Sequence, residues 1–263
     1  MAKKKSTAVA KKGTSALAAY KEYEGAGYEG QTQEDIAIPF LSVLQATSPQ
    51  VEEMKNAKAG MLFNTVTEEL TKEVLFIPSK SEHCFVEWVP REKGGGFVQK
   101  HKPGCDLVNN AKSAAEEFGK LKTENGNDLV ETFYYYGMLV DEKEPLGPAV
   151  IAFTSTKIKV YRRFNTRINT FMLKTPDGRK MRPPMFSHVL RISSVPEENN
   201  KGKFFNFKLE SANTSLADSM VTPDDPRFQA AAEIYELINS GVARAAYETA
   251  THEPADSDGD DPF

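Results

Sequence analysis

Short runs of alternating apolar and polar residues recur along the middle of the chain, and this pattern is typical of β-strands. Turn signals rich in glycine and asparagine separate several of these runs, among them Gly94–Gly96 and Asn125–Asn127. The predicted strands are Met61–Val66, Val74–Pro78, His83–Val89, Leu129–Val140, Ala149–Thr154, Met185–Val195 and Lys203–Glu210. We therefore predict a mainly β fold, built as an antiparallel barrel or sandwich with helical insertions.

Three further segments place their apolar residues at helical spacing. They are Asp106–Lys122, Ser155–Leu173 and Pro226–Ala245. In the third segment, Asp224 and Asp225 are suited to capping the helix, and proline is suited to its first position. We expect this helix to close the folded part of the chain, because the apolar periodicity stops soon after it.

The two ends of the chain lack any apolar periodicity. Residues 1–33 predict a flexible lysine-rich arm, residues 34–248 a single domain, and residues 249–263 a disordered acidic tail. The basic start has no apolar core followed by a cleavage site, as a secretory signal would have, and the apolar runs are too short to span a membrane. With only two cysteines, Cys84 and Cys105, the composition favours the cytoplasm.

Charge is segregated along the sequence although the net charge is only −4. Residues 1–17 carry five lysines and no acid, and the last eleven residues carry five acids and no base. Within the acidic body, Thr154–Arg191 holds ten basic residues and one acid, Asp177. This block attracts a polyanion while its neighbours repel one, so we expect any nucleic-acid contact to be local to it.

Sequence signatures of catalysis and of cofactor binding are missing. The chain has no phosphate-binding glycine loop, no dinucleotide-binding motif, no zinc-protease motif and no nucleophile elbow. His83, Cys84, His101 and Cys105 offer four zinc-type side chains, but neighbours on a strand point to opposite faces. We therefore predict a protein that is not an enzyme and has no metal site and no cofactor.

Binding of single-stranded nucleic acid requires cations along the backbone and aromatic rings on which unpaired bases stack. The basic block supplies both types of side chain. The residues that we predict to contact the strand are Lys157, Lys159, Tyr161, Arg162, Arg163, Phe164 and Arg167. The alternative is that Tyr161 and Phe164 belong to the buried stripe of a helix whose basic face is simply solvated.

The glycine-rich loop after strand His83–Val89 is a second candidate for contact with nucleic acid. Three glycines allow a mobile backbone or a close approach to a ligand, and positive charges flank them beside two aromatic rings. The predicted contact residues are Trp88, Arg91, Lys93, Phe97 and Lys100. The alternatives are an ordinary hairpin loop and a core position for Trp88, which alternates with Cys84 and Val86. We also expect at least one tyrosine of Tyr134–Tyr136 to meet solvent or ligand.

The C-terminus carries the most specific signal in the sequence. A hydrophobic ring and the terminal carboxylate follow directly after a run of acids, which makes a complete short ligand for a pocket with a basic rim. The residues that we predict to bind a partner protein are Asp258, Asp260, Asp261, Pro262 and Phe263. The same acids are able to compete with DNA for the basic block of the protein itself.

The ending DSDGDDPF resembles the acidic tip of bacterial single-stranded DNA-binding proteins and of their phage counterparts. The body resembles uncharacterised or replication-associated phage proteins in segments 35–41, 48–51, 63–66, 87–91 and 153–157. The resemblance implies an OB-fold barrel that coats single-stranded DNA without sequence preference in phage replication and recombination. It also implies that the tip recruits replication, recombination or transcription proteins.

Two other functional classes remain open at this point. A single-strand annealing protein also binds single strands, but it assembles into rings or filaments and pairs complementary strands. An adaptor or transcription activator would contact RNA polymerase through its tail and C-terminal helix. The sequence does not fix the oligomeric state.

Overall fold

The computed structural model describes residues 37–115, 120–200, 202–242 and 244–247, together with Tyr23, Ala26 and Gly27. The chain divides into two units, residues 1–36 and residues 37–263. The second unit contains the elements that follow. The arm predicted at residues 1–33 lies almost entirely outside the described residues, and the tail predicted at residues 249–263 lies wholly outside them.

The second unit is mainly β and largely antiparallel, with four helices and three 3-10 turns in its described part. The strands are β1 (Ala37–Ile38), β2 (Leu41–Val43), β3 (Leu62–Asn64), β4 (Leu70–Thr71), β5 (Glu73–Trp88), β6 (Phe97–His101), β7 (Leu121–Lys122), β8 (Asp128–Val140), β9 (Pro145–Thr154), β10 (Leu173–Lys174), β11 (Lys180–Met181), β12 (Leu190–Asn199), β13 (Gly202–Ser211) and β14 (Arg244–Ala245). The helices are α1 (Pro49–Glu53), α2 (Asp106–Ala114), α3 (Ile158–Thr170) and α4 (Pro226–Asn239). The 3-10 turns are Arg91–Lys93, Ser155–Lys157 and Met185–Ser187.

Two long antiparallel strands, β5 and β8, form the spine of the main sheet, from the pair Leu75–Val140 to the pair Trp88–Asp128. The first half of β5 also pairs with β12, and its second half pairs with β6. On the other side of β8 lie β9 and β7. The two strands predicted at Val74–Pro78 and His83–Val89 are therefore one strand. Of the polar residues between them, Ser79 forms a β-bulge where the register shifts, and Lys80, Ser81 and Glu82 pair with β8.

Gly137 lies opposite this bulge, and no larger residue fits there. A Cβ atom on Gly137 would lie 2.1 Å from the carbonyl oxygen of Ile77 and 2.6 Å from the ring of Phe76. The close approach of two backbones at a bend explains a glycine in the middle of a strand.

Both faces of the main sheet are covered, so the spine strands are buried on both sides. On one face, Phe133 and Tyr135 pack with α3 and with strands β2, β9 and β13. On the other face, Tyr134 and Tyr136 belong to a second core, and Met138 packs under α4. Tyr134, Tyr135 and Tyr136 are all buried, with at most 3% of each exposed. The prediction that one of them meets solvent or ligand is wrong, because helices and loops cover the sheet on each side.

A small sheet of β2, β3 and β4 lies between β9 and β13. The amide N–H of Val150 donates to the carbonyl of Pro39 over 2.8 Å. At the other side, the Gln45 side chain bonds both the N–H and the carbonyl of Phe205, over 2.8 and 2.9 Å. One link is thus an isolated β-bridge between Phe40 and Val150, and the other is made by a side-chain amide. Among the described strands the β structure does not close into a barrel.

The helices start close to where the sequence predicts them, but they end earlier. The predicted cap of α4 is confirmed, since the Asp225 carboxylate accepts from the N–H of Arg227 over 2.9 Å. The helix stops at Asn239, and Gly241 follows with a left-handed φ of 77°. Ala245, which was predicted to end this helix, lies in strand β14 instead. Likewise α2 ends at Ala114, and Leu121–Lys122 is a strand. No helix in the described ranges is both long and apolar enough to cross a membrane.

Candidate functional site

Helix α3 presents an apolar face to the core. Tyr161, Phe164 and Ile168 are at most 5% exposed. The ring of Tyr161 lies 4.6 Å from that of Phe133 and 4.9 Å from that of Tyr135. Burial raises the pKa of the Tyr161 hydroxyl, which agrees with a place in the apolar interior. Tyr161 and Phe164, both predicted to stack on bases, therefore form the buried stripe that was the alternative, and they offer no free face to a ligand.

The opposite face of α3 is cationic and exposed. Lys159 is 64% exposed and lies 2.9 Å from Glu197, and Arg162 is also 64% exposed and lies 3.9 Å from Glu131. Arg163 and Arg167 are exposed, and neither forms an ion pair with any residue that the structure describes. Exposed ion pairs of this kind are weak, so a polyanion is able to displace the carboxylates of Glu197 and Glu131.

The β10–β11 hairpin, which follows α3 in the chain, continues this positive charge. Its methionines, Met172 and Met181, are 44% and 48% exposed. Its tip holds Asp177, which bonds Arg179. We use "cationic surface" for the exposed basic residues of α3 and of this hairpin, namely Lys159, Arg162, Arg163, Arg167, Lys174, Arg179, Lys180 and Arg182.

Phe133 and its neighbours form a ring cluster at the edge of the cationic surface, which the sequence analysis missed. The His83 ring stacks on that of Phe133, with centroids 4.1 Å apart and planes 9° apart. The Arg162 guanidinium lies 5.6 Å from the centre of the same ring. His83 also contacts the Glu131 carboxylate over 2.9 Å. Alternation along β5 indicates only that His83 and Cys84 face opposite sides; the partner ring comes from β8.

The glycine-rich loop connects a buried strand to an exposed one. Trp88 is only 7% exposed, and its ring meets Phe97 edge-on at 5.9 Å. Phe97 in turn stacks on Tyr247 at 4.1 Å. Trp88 shares a core with Cys84 and Val86, which confirms the predicted alternation. The two aromatic residues predicted to contact nucleic acid from this loop are thus engaged with other rings.

The basic residues of this segment have different surroundings. The Lys100 ammonium lies 2.8 Å from the Glu82 carboxylate and 3.4 Å from the hydroxyl of Tyr136. Burial opposes its charge, but nearby Tyr247 and Glu82 hold the Lys100 pKa above its usual value. Its charge is therefore compensated locally. Arg91 and Lys93, by contrast, are exposed on the 3-10 turn that opens the loop.

An open cleft of about 840 Å³ brings two of the predicted segments together, because Arg91 from the loop and Lys157 from the basic block both line it. The remaining lining comes from four places in the chain. They are β2 with the start of α1, β3 with the turn that follows it, the turn from Thr154 to Thr156, and the β12–β13 hairpin with Lys203, Phe204 and Phe205. Sequence reasoning missed Lys203 and Phe204, because nothing in a single strand shows that it borders a cleft.

The turn before α3 contributes polar residues to the cleft, among them Lys157. Lys157 is only 8% exposed, and its ammonium lies 5.9 Å from the ring centre of Phe207. Ser155 has a left-handed φ of 47°, which is unusual for a residue other than glycine. Backbone strain of this kind tends to be found at functional sites. Among the described residues that line the cleft, Glu68 is the only acid.

The zinc-type side chains do not converge. Cys84 lies in the second core, where burial raises the pKa of its thiol to about 12, while His83 lies on the other face of β5. His101 contacts Glu87. Over the described parts of the chain, no group of three histidine, cysteine or acidic side chains is arranged to hold a metal ion.

A comparison with known protein families matches residues 4–244 to the Pam3 phage gp34-like proteins. The chain belongs to this family. The matched range includes the cationic surface, the glycine-rich loop and the cleft. No curated protein and no solved structure matches the chain.

Proposed function

We propose that this member of the Pam3 phage gp34-like family binds single-stranded DNA without sequence preference, as a non-catalytic protein of phage replication and recombination in the host cytoplasm. The observation that carries the proposal is the cationic surface. One continuous segment, residues 158–182, exposes eight basic residues, and its helix α3 is fixed to the core by its apolar side. Its acids are confined to Asp177.

The geometry of α3 suits contact with a phosphate backbone. Lys159, Arg162, Arg163 and Arg167 follow the spacing of one helical face, which makes a stripe of charge about 12 Å long at 1.5 Å per residue. The buried face fixes the helix, so little ordering is needed when a strand binds. Such contacts release counterions, and affinity therefore falls as salt rises.

We also propose that the sheet is an elaborated relative of the OB-fold. Strands β12, β5, β8 and β9 form a continuous antiparallel sheet around an apolar core, and β2 and β3 contribute to that same core. An OB-fold barrel that is only partly closed is known to bind single strands on one face. The extra helices and the small β2–β4 sheet would then be additions to that plan.

The acidic tail completes the proposal as the site that binds partner proteins. Asp258, Asp260, Asp261, Pro262 and Phe263 lie outside the described residues, so this step rests on the sequence. Deleting residues 253–263 is expected to leave DNA binding unchanged or stronger, and to abolish capture of replication proteins in a pull-down. Loss of DNA binding on this deletion would instead make the tail part of the DNA-binding fold.

The decisive experiment replaces Arg162, Arg163 and Arg167 together with glutamine. We expect affinity for oligo(dT) to fall about tenfold or more, and the slope of log affinity against log salt to decrease by about 2. The matched control replaces Lys55, Lys72 and Lys143 with glutamine. These three are exposed and change the net charge equally, but they belong neither to the cationic surface nor to the cleft.

Two results would reject the proposal. One is unchanged oligo(dT) binding by the folded triple arginine variant. The other is equal affinity of the wild type for single strands and for duplex of the same length, since coating of single strands requires a preference between them.

A further inference from the structure

The cleft offers chemistry that the cationic surface lacks. All predicted aromatic rings of α3 are buried, so the stripe of arginines supplies charge but no stacking platform. In the cleft, Phe204 is half-buried and lines the open space together with the exposed Lys203 and Arg91. The volume of the cleft, about 840 Å³, lies within the usual range for small-ligand sites.

We infer that the cleft receives one unpaired nucleobase of the bound strand, which stacks on the ring of Phe204. This inference rests on the proposed function and names the part of the site that distinguishes single strands from duplex. Lys203 and Arg91, both exposed, hold the phosphates beside that nucleotide. Lys157, deeper in the lining, faces the polar edge of the base.

The surroundings favour a nucleobase over an apolar ligand. Thr154, Ser155 and Thr156 line the same space as Phe204, and a hydroxyl group is able to donate to or accept from a base edge. Such groups tolerate different bases, because a hydroxyl serves as donor or acceptor. The cleft therefore recognises that a base is unpaired without reading which base it is.

The position of the cleft links it to the cationic surface. Residues 154–157 line the cleft and lead directly into α3, whose first exposed cation is Lys159. A strand lying along the helix thus passes the cleft at the N-terminal end of α3. In a duplex the bases are paired and stacked inside, so the cleft stays empty while the arginines still contact phosphate.

The experiment compares Phe204→Ala with the wild type on two oligomers of equal length, one of thymidines and one carrying abasic sites throughout. We expect the wild type to bind the thymidine oligomer about five- to one-hundred-fold more tightly. Phe204→Ala is expected to bind both oligomers alike, with an unchanged salt slope. Phe204→Tyr keeps the ring and is expected to restore the difference, while Phe204→Leu keeps only the apolar volume and is expected not to.

The control is Tyr235→Ala, which removes an aromatic ring that is 36% exposed on α4 and lies outside the cleft lining. It is expected to keep the difference between the two oligomers. Thermal melting checks that each variant is folded. Titration with thymidine monophosphate tests a free nucleotide as the ligand of the cleft.

Each outcome separates the two proposals. If the wild type binds thymidine and abasic oligomers equally, or if folded Phe204→Ala still distinguishes them, the cleft proposal is wrong while single-strand binding stands. A third outcome is that thymidine monophosphate binds the wild type but not Phe204→Ala, whereas the two proteins bind the oligomers equally. The cleft is then a site for free nucleotides, and the proposal is again wrong. Absence of any binding to single strands overturns both.

Discussion

Nε2 of His101 lies 2.7 Å from a carboxylate oxygen of Glu87, and both side chains are almost fully buried. The other carboxylate oxygen accepts from the amide of Asn127 over 2.7 Å. Glu87 is in β5, His101 ends β6, and Asn127 precedes β8. One carboxylate therefore joins the strand that follows the glycine-rich loop to the spine of the main sheet.

Replacing Glu87 with alanine is expected to lower the free energy of unfolding by about 1–3 kcal/mol, because it leaves the buried imidazole and the Asn127 amide without their acceptor. Urea titration measures the change. The control is Glu210→Ala, which breaks a pair with the exposed Lys208 at 2.9 Å and is expected to cost less than about 1 kcal/mol. Equal effects of the two substitutions would contradict the structural role given to Glu87.

The contact between Glu87 and His101 also predicts that the stability of the protein changes with pH in the acidic range. Burial works to raise the Glu87 pKa, but hydrogen bonds from Asn127 and His101 outweigh it and hold the pKa below its usual value. A lowered folded-state pKa stabilises the protein above the unfolded value of about 4.5, and that contribution is lost as pH falls through the folded value. The stability difference between wild type and Glu87→Gln should therefore shrink between pH 6 and pH 3 in urea titrations.

His188 predicts a different window of pH. It is completely buried, with its ring edge-on to Phe171 at 5.4 Å, and desolvation lowers its pKa below the ordinary 6.5. The folded state binds this proton less readily than the unfolded state, so stability is full above pH 6.5 and falls below it. His188→Leu is expected to reduce the loss of stability between pH 7.5 and pH 5. Glu87→Gln, which keeps His188, should retain that loss.

The two faces of α3 should respond oppositely to substitution. Phe164→Ala removes a core ring and is expected to cost about 3–5 kcal/mol of stability, while the remaining folded protein keeps its affinity for oligo(dT). Arg167→Gln is expected to cost less than about 1 kcal/mol and to lower that affinity. Thermal melts and a gel shift at matched folded concentration measure both. Weaker binding by folded Phe164→Ala would indicate that the Phe164 ring does belong to the DNA-binding site.

Gly137→Ala tests the close approach of β5 and β8 at the bulge. The added Cβ would lie 2.1 Å from the backbone oxygen of Ile77, and a backbone atom in a paired strand has little freedom to move. We expect a loss of about 3 kcal/mol or more in a urea titration. An unchanged midpoint would show that the spine strands are further apart at this position.

Local sequence patterns predicted the five long strands, β5, β8, β9, β12 and β13, together with β3, the cap of α4 and the charged face of α3. Alternation and helical spacing are properties of neighbouring residues, so they are visible without a fold. The same patterns failed where a distant segment decides the outcome. The polar residues around Ser79 divide the apolar pattern into two predicted strands, yet pairing with β8 keeps β5 continuous through a bulge. Eight short strands of the described residues, β2 and β6 among them, were missed because little in their own sequence sets them apart.

The sequence by itself determined that positive charge is concentrated in one segment and that the same segment has an apolar stripe. Tertiary structure decided which side chains are accessible. It placed the rings of Tyr161 and Phe164 on the core side of α3 and the ring of Trp88 against that of Phe97. It brought Arg91, Lys157, Lys203 and Phe204 to one cleft, although the first two are far apart in the chain. Burial and convergence depend on how strands pair across the sheet, whereas charge and periodicity are fixed by the order of residues alone.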